Sequence, residues 1–160
     1  MIFNKKKKQT TETLLSPLRG RVIPLCEVND PAFSEKILGD GCAIIPESGV
    51  LTAPADGVID SVPDTHHAIM MRSDSGAEIL MHIGIDTVRL NGEHFRPFVR
   101  SGEKVHAGDI LIEFDLLAIK NIGYDTVTPI VISNHEIYEN IRTTVDHAVV
   151  KEPFMELKRK

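Results

Sequence analysis

Short apolar runs separated by glycine and proline predict a chain made mostly of β-strands. The 11 glycines and 9 prolines are spread along the whole chain, as is typical of short strands joined by tight turns. Four runs are rich in valine, isoleucine or threonine: residues 50–52, 58–62, 110–114 and 127–132. Only two segments have a helical pattern, residues 115–120 with Asp115 as the cap and residues 134–141 with Asn134 as the cap.

An internal similarity suggests that the sheet structure is built from two related parts. The pattern Pro-x-x-Gly followed by a β-branched strand occurs at residues 17–23 and again at residues 54–59. A further turn followed by a strand occurs at residues 101–110. Two similar half-sheets that face each other would explain this repetition.

The most informative segment is residues 64–88, which predicts a β-hairpin. Residues 73–76, Ser-Asp-Ser-Gly, form a turn cluster between two strand-like runs. A loop of two or four residues makes the numbers of paired positions add to 149, so that His67 faces His82 and Ile69 faces Leu80. Directly opposed residues have Cβ atoms roughly 4.5–5.5 Å apart, which would allow the two imidazoles to touch. A three-residue loop would change this register.

Alternation along the two strands then assigns side chains to faces. One face of the second strand is apolar and is expected to meet the core: Ala77, Ile79, Met81, Ile83 and Ile85. The other face of the hairpin is expected to hold the histidine pair together with its neighbours: Thr65, His67, Ile69, Met71, Glu78, Leu80, His82, Gly84 and Asp86. His66 should point the opposite way.

Two facing imidazoles are compatible with phosphoryl chemistry, with part of a metal site, or with two ordinary surface or core histidines. One neutral imidazole can attack a phosphoryl group while the other donates a hydrogen bond to the phosphoryl oxygens. Gly84, two residues after His82, would leave room for that group. A metal site is the competing use, but two histidines supply only half of a tetrahedral site. The residues alone predict a histidine-pair site on a β-sheet.

Composition narrows the class of protein. A length of 160 residues corresponds to one domain, and the formal net charge is −5. Apart from the lysine-containing first eight residues and the last three, the chain holds 11 basic and 23 acidic groups, a balance of −12. Nucleic-acid binding is therefore not expected. Residues 1–12 are predicted to be a flexible lysine-rich tail, and the lack of a long apolar run or signal peptide predicts a cytoplasmic, not membrane-spanning, protein.

The segment GAEILMHIGIDTV, residues 76–88, resembles the active-site signature of the glucose-type IIA component of the bacterial phosphoenolpyruvate-dependent sugar phosphotransferase system. That signature has a glycine, an active histidine preceded by apolar residues, and then apolar-Gly-apolar-x-Thr-apolar. The resemblance extends over residues 14–160 and includes residues 35–41, 53–57, 67–68, 73–76, 108–109 and 128–131. It implies an all-β fold, an antiparallel β-sandwich or barrel built from two related sheet motifs with short helical turns. Residues 13–160 would be the IIA domain.

The resemblance also implies roles for individual residues. His82 would be the phosphorylated nucleophile, reacting through Nε2. His67 would stabilise the phosphoryl group, and Thr65 would orient the histidine pair. The positions that match the family's partner-binding surface are apolar or acidic: Phe33, Ile37, Leu38, Leu80, Val88, Asp30 and Asp86.

Three positions depart from the family pattern. Pro63 replaces a common bulky aromatic residue, Leu80 replaces a common phenylalanine, and His66 replaces a common non-ionisable polar residue. The docking surface is therefore expected to differ in detail, whereas both histidines and the threonine are retained.

The implied activity is a phosphotransferase relay that needs no cofactor. The histidine-containing phosphocarrier protein (HPr) would phosphorylate His82, and the cysteine of a sugar-permease IIB domain would accept the group, transiently at the inner face of the membrane. Two alternatives stay open: a regulatory binding module switched by phosphorylation of His82, and a zinc hydrolase, which would need a further ligand motif. No metal is expected apart from a zinc ion that His67 and His82 could share with a partner protein.

Overall fold

A computed structural model describes residues 11–160, which form antiparallel β-sheets with a few short helices. The strands are β1 (Thr11–Leu15), β2 (Gly20–Pro24), β3 (Asp40–Pro46), β4 (Val50–Thr52), β5 (Gly57–Ser61), β6 (Ala68–Ser73), β7 (Glu78–His82), β8 (Phe95–Pro97), β9 (Lys104–Val105), β10 (Ile110–Phe114), β11 (Thr128–Ile132), β12 (Tyr138–Thr143), β13 (His147–Ala148) and β14 (Pro153–Arg159). The α-helices are α1 (Pro31–Ser34) and α2 (Leu116–Ile122). Short 3₁₀ helices occupy Leu25–Glu27, Thr87–Leu90 and His135–Ile137.

The strands form a β-sandwich, which confirms the predicted fold class. The largest sheet has eight strands in the order β13-β2-β3-β11-β7-β6-β5-β9. Two three-stranded sheets, β1-β14-β12 and β4-β10-β8, complete the structure. Every strand pair in the described residues is antiparallel.

Two hydrophobic clusters lie on opposite faces of the large sheet. In the paired strands β7 and β11, Met81 and Ile130 belong to the main core between the sheets. Their neighbours Leu80 and Val131 belong to a smaller cluster on the outer face. The segment that includes α1 covers this smaller cluster with Phe33, which is 2% exposed. The histidine site lies on this second, outer face.

The local patterns predicted some of the strands and one of the two α-helices within residues 11–160. Strands β4 and β10 have the predicted bounds, and α2 begins after Asp115, whose side chain accepts a hydrogen bond from the Ala118 amide at 3.0 Å. The helix predicted over residues 134–141 is wrong. Asn134 instead accepts a hydrogen bond from the Glu78 amide and donates one to the Gly76 carbonyl, and strand β12 follows a single 3₁₀ turn.

The predicted end of the N-terminal tail, at residue 12, also differs from the structure. Thr11 and Glu12, predicted to belong to the flexible tail, pair with β14 as part of β1. The predictions for residues 1–10, including the lysines at 5–8, lie outside the described residues. None of the helices within residues 11–160 combines the length and the hydropathy needed to cross a membrane.

The predicted hairpin register is wrong by one residue. Arg72 pairs with Glu78 and Ile69 pairs with Met81, so the numbers of paired positions add to 150. Ser73 and Ala77 close a three-residue loop, in which Gly76 has a φ of 98°. Because of this shift Ile69 and Met71, expected on the histidine face, are fully buried in the main core. The predicted core row is confirmed for Ala77, Ile79, Met81 and Ile83. Ile85 departs from it, because it is buried in the smaller cluster on the outer face.

Candidate active site

His67 and His82 meet although the register differs from the predicted one. The centroids of the two rings are 4.9 Å apart, and the ring planes are nearly perpendicular at 82°. His67 is 8% exposed, whereas His82 is partly exposed. The pair therefore presents one covered and one accessible imidazole on the outer face of the large sheet.

Irregular backbone just before β6 makes this meeting possible. His67 precedes the first regular residue of the strand, and its carbonyl accepts a hydrogen bond from the Ile83 amide at 2.7 Å. His66 has a positive φ of 54°, which few residues other than glycine adopt. The His66 amide also donates to the Pro63 carbonyl at 2.9 Å and closes a turn.

The Thr65 side chain holds His67 from the other side of this turn. Its Oγ1 lies 2.7 Å from Nδ1 of His67. If the Thr65 hydroxyl donates this bond, Nδ1 is the acceptor and the ring proton sits on Nε2, where it can be donated to a ligand. The predicted proximity of Thr65, His67 and His82 is thus present in the structure.

His82 has its Nδ1 fixed by the backbone. The distance from Nδ1 to the carbonyl oxygen of Gly84 is 2.7 Å. A carbonyl can only accept, so Nδ1 carries the proton and the lone pair of the neutral ring is on Nε2. The Phe33 ring packs beside it with a centroid distance of 5.3 Å. The imidazole is therefore held in one tautomer and supported on one side.

Both histidines are biased towards the neutral form. Burial, followed by the influence of His82, lowers the pKa of His67 from 6.5 to about 4. Burial also lowers the pKa of His82, while the Gly84 carbonyl and then the carboxylates of Asp30 and Asp86 oppose that shift. A neutral imidazole has the lone pair that a nucleophile needs.

The loop after β7 has a tightly determined shape. Gly84 has a φ of 75°, and an added Cβ would lie 2.6 Å from the Thr87 Cγ2 and 2.9 Å from the Asp125 carbonyl oxygen. Asp86 follows with a φ of 61° and an exposed side chain. Glycine at position 84 was expected to make room for a phosphoryl group, whereas its carbonyl also has the unpredicted role of anchoring His82. The sequence signal for that anchor is the spacing His-x-Gly.

Several of the residues predicted to bind partners have exposed side chains. Ile37, Leu38 and Val88 are 69%, 41% and 47% exposed, which is unusual for large apolar side chains. Leu80 is half-buried. Phe33 differs, because it is buried against His82 and so supports the site from beneath instead of forming its surface.

The two acidic residues border the site in different ways. Asp30 caps α1, where its carboxylate accepts from the Ala32 amide at 3.0 Å, whereas the Asp86 side chain is exposed. Within residues 11–160 there is no group of three or more His, Cys, Asp or Glu side chains able to hold a metal ion. A zinc ion at His67 and His82 would therefore need ligands from a partner, and that site stays a prediction.

Comparison with known proteins identifies the family. The family model described as "phosphoenolpyruvate-dependent sugar phosphotransferase system, EIIA 1" matches residues 12–138. The glucose-specific EIIA component of Bacillus cereus is 44% identical over 150 residues, which cover 94% of this chain and 91% of that protein. The beta-glucoside-specific EIIBCA component of Dickeya chrysanthemi is 52% identical over 130 residues, 81% of this chain but 21% of that longer protein.

A solved structure agrees with the sequence comparisons. Glucose permease IIA from Mycoplasma capricolum superposes with a TM-score of 0.81 at 34% sequence identity, and the alignment covers 98% of each chain. The matches thus extend over the whole sandwich and include the histidine hairpin. The chain belongs to the EIIA family of the phosphoenolpyruvate-dependent sugar phosphotransferase system, whose members are phosphoryl-relay components of sugar uptake.

Proposed function

We propose that this chain carries a phosphoryl group on Nε2 of His82, accepting it from HPr and passing it to the cysteine of a sugar-permease IIB domain. The hydrogen bond from His82 Nδ1 to the Gly84 carbonyl, at 2.7 Å, is the observation that supports this proposal most directly. It holds the proton on Nδ1 and leaves the Nε2 lone pair available for attack on phosphorus.

His67 is proposed to stabilise the phosphoryl group and Thr65 to orient His67. The Thr65 hydroxyl lies 2.7 Å from Nδ1 of His67, so an Nε2 proton of His67 is left to donate to a phosphoryl oxygen. The lowered pKa of His67, about 4, keeps this ring neutral near pH 7. A neutral donor stabilises the oxygens without forming the strong ion pair that a protonated ring would make, which favours onward transfer.

Each transfer is balanced without a cofactor. In the first step the Nε2 lone pair of His82 forms a bond to phosphorus, while the bond from phosphorus to the HPr histidine breaks and its electron pair returns to that nitrogen. In the second step the IIB cysteine thiolate attacks phosphorus, and the electron pair of the P–Nε2 bond returns to His82. In-line positioning and electrostatic stabilisation are the main contributions to such a reaction.

The partners are proposed to dock around the histidines on an apolar surface with acidic edges. Ile37, Leu38 and Val88 supply the exposed apolar area, and Asp30 and Asp86 are placed to meet basic side chains of a partner. The balance of −12 between the two basic ends of the chain would attract a basic HPr over longer range. The rate of phosphorylation by HPr should therefore fall as ionic strength rises.

Fused relatives support a IIB acceptor. The Dickeya chrysanthemi relative is named an EIIBCA component, and a glucosamine-specific EIICBA component of Bacillus subtilis is 47% identical over 128 residues. These names place an EIIA segment and an EIIB segment in one polypeptide. We propose that the present chain makes the same transfer to a IIB domain, and a panel of beta-glucoside-, glucose- and glucosamine-type IIB domains would identify its acceptor.

The decisive experiment follows ³²P from phosphoenolpyruvate through purified enzyme I and HPr to the full chain, and then to a IIB domain. We expect one acid-labile, base-stable phosphohistidine that is abolished by His82→Ala. His67→Ala should still accept the group but fail to pass it on. His106→Ala, which removes an exposed imidazole elsewhere, should accept the group and also pass it on. Label that persists in His82→Ala would refute the assignment of the nucleophile.

A further inference from the structure

His66 lies between the two residues whose hydrogen bond orients the second histidine. The torsion angles of His66 set the angle between the peptide plane that joins it to Thr65 and the plane that joins it to His67. They therefore determine whether the side chains of Thr65 and His67 converge. With φ at 54°, His66 is in the left-handed region. The Thr65 Oγ1 to His67 Nδ1 distance of 2.7 Å is reached in this conformation.

A regular strand at this point would turn His67 away from His82. The observed ladder ends at the pair Ala68–His82, and continuing its register by one residue would place His67 opposite Ile83. The His67 carbonyl does accept a hydrogen bond from the Ile83 amide, at 2.7 Å. Residues opposite each other in a ladder share a face, and Ile83 is 1% exposed in the main core. Extended backbone through His66 and His67 would thus direct the second imidazole into the core. The turn closed by the His66 amide and the Pro63 carbonyl prevents this.

The imidazole of His66 itself faces a different part of the molecule. A Cβ added at Gly92 would lie 3.6 Å from Nδ1 of His66, so this ring lies beside the turn at Gly92. The ring pair of the site is formed by His67 and His82. Among the described residues no hydrogen bond joins the His66 side chain to Thr65, His67 or His82, whereas the His66 backbone links Thr65 directly to His67.

We propose that His66 is a positioning residue of the relay, acting through its left-handed backbone and not through its imidazole. This inference rests on the proposed function of His67. Histidine, asparagine and aspartate adopt the left-handed region more readily than other non-glycine residues, whereas β-branched residues are strongly disfavoured there. Substitutions at position 66 should therefore preserve transfer when the new residue tolerates a positive φ, whether or not its side chain can ionise.

The test compares His66→Asn, His66→Gly, His66→Ala and His66→Val in the full chain. Asn and Gly remove the imidazole but permit positive φ, Ala resists it moderately, and Val resists it most. Lys151→Val is the matched control, because Lys151 also has a positive φ, 69°, and lies outside the histidine site. It should impose similar backbone strain and reduce stability to urea without affecting transfer.

Three measurements distinguish positioning from a general loss of structure. Nitrogen–proton correlation spectra report the tautomer and the pKa of the His67 ring, ³²P labelling reports uptake on His82, and a IIB domain reports onward transfer. We expect His66→Asn and His66→Gly to pass the group to the IIB domain at rates within about twofold of the wild-type rate. Val should accept label but pass it on about tenfold more slowly, as the cost of a left-handed non-glycine residue implies, with Ala between them.

Two results would overturn the inference. Onward transfer in His66→Val equal to wild type would show that the backbone conformation is not needed, and a loss in His66→Asn as large as in His66→Val would show that the imidazole is. Should His66→Val fail to fold, the smaller change in His66→Ala decides the same question. Failure of the proposed function would appear separately, as an unlabelled His82 in the wild type, while the His67 spectra would still test the positioning.

Discussion

The buried, neutral state of His67 predicts a specific loss of stability in acid. Its pKa is lowered from 6.5 to about 4, because burial disfavours the charged ring and His82 lies beside it. The unfolded chain takes up a proton at this histidine near pH 6.5, whereas the folded chain does so only near pH 4. The folded state is therefore favoured above pH 6.5, and this contribution is lost as the pH falls from 6.5 to 4.

The size of the effect follows from the two pKa values. Each unit of difference corresponds to about 1.4 kcal/mol, so the change from 6.5 to about 4 amounts to roughly 3 kcal/mol. This is a large fraction of the total stability of an ordinary domain, which is about 5–15 kcal/mol. His67→Gln should abolish it, since glutamine does not titrate and its amide can still bond to Thr65.

Urea unfolding of wild type and His67→Gln at several pH values between 7 and 4 measures this contribution. We expect the free energy of unfolding of the wild type to fall by roughly 3 kcal/mol more than that of His67→Gln over this range. His106→Gln, which removes an exposed histidine, is the matched control for loss of an imidazole. Curves for wild type and His67→Gln that stay parallel down to pH 4 would refute the reasoning.

Three further changes test other parts of the structure. The Tyr138 hydroxyl is buried without a well-aligned hydrogen-bond partner among the described residues, although Arg159 lies close enough to oppose the rise of its pKa. Tyr138→Phe should therefore leave the free energy of unfolding unchanged or raise it by up to about 1 kcal/mol; a clear loss in urea denaturation would contradict this. Burial raises the pKa of Glu12 despite its hydrogen bond from Ser73, so the contribution of this group is present at low pH and is lost as the pH rises through its folded pKa. Glu12→Gln, which keeps the acceptor for Ser73, should therefore be more stable than wild type at pH 7, and lower stability there would argue against the burial effect. Gly84→Ala would bring a Cβ to 2.9 Å from the Asp125 carbonyl oxygen at a positive φ, and we expect a loss of about 2–4 kcal/mol and a lower Tm, whereas an unchanged Tm would be inconsistent with the tight loop.

Local patterns predicted the elements whose causes are local. The apolar runs at residues 50–52 and 110–114 became strands with those bounds, because alternation and β-branching are properties of the segment itself. The helix predicted over residues 134–141 failed for the opposite reason. Strand β12 is stabilised by pairing with β14, a strand that lies outside that segment. Helix α1 was missed because only four residues form it, although Asp30 followed by Pro31 is a recognisable start signal.

The prediction that His67 and His82 lie close together is correct, but the predicted reason for it, a direct cross-strand pairing, is wrong. The expected register would have placed His67 directly opposite His82, but Gly76 closes a three-residue loop and moves the pairing by one. The rings meet because His66 takes a left-handed conformation that a pattern of alternating residues does not encode. Burial of Phe33 likewise depends on how α1 lies over the sheet, which the resemblance in sequence did not determine.

The anchor between His82 Nδ1 and the Gly84 carbonyl has a consequence for the direction of phosphate flow. The anchor leaves Nε2 as the free ring nitrogen. On the proposed mechanism the ring therefore does not need to turn over when the phosphoryl group arrives or leaves. The loaded and empty forms would then differ in charge at the surface but hardly in shape. A partner can favour one form only through interactions that differ between the two. Phosphoryl transfer through such a carrier would be reversible. Its net direction would be set by the relative phosphoryl-transfer potentials and the concentrations of the donor and the acceptor.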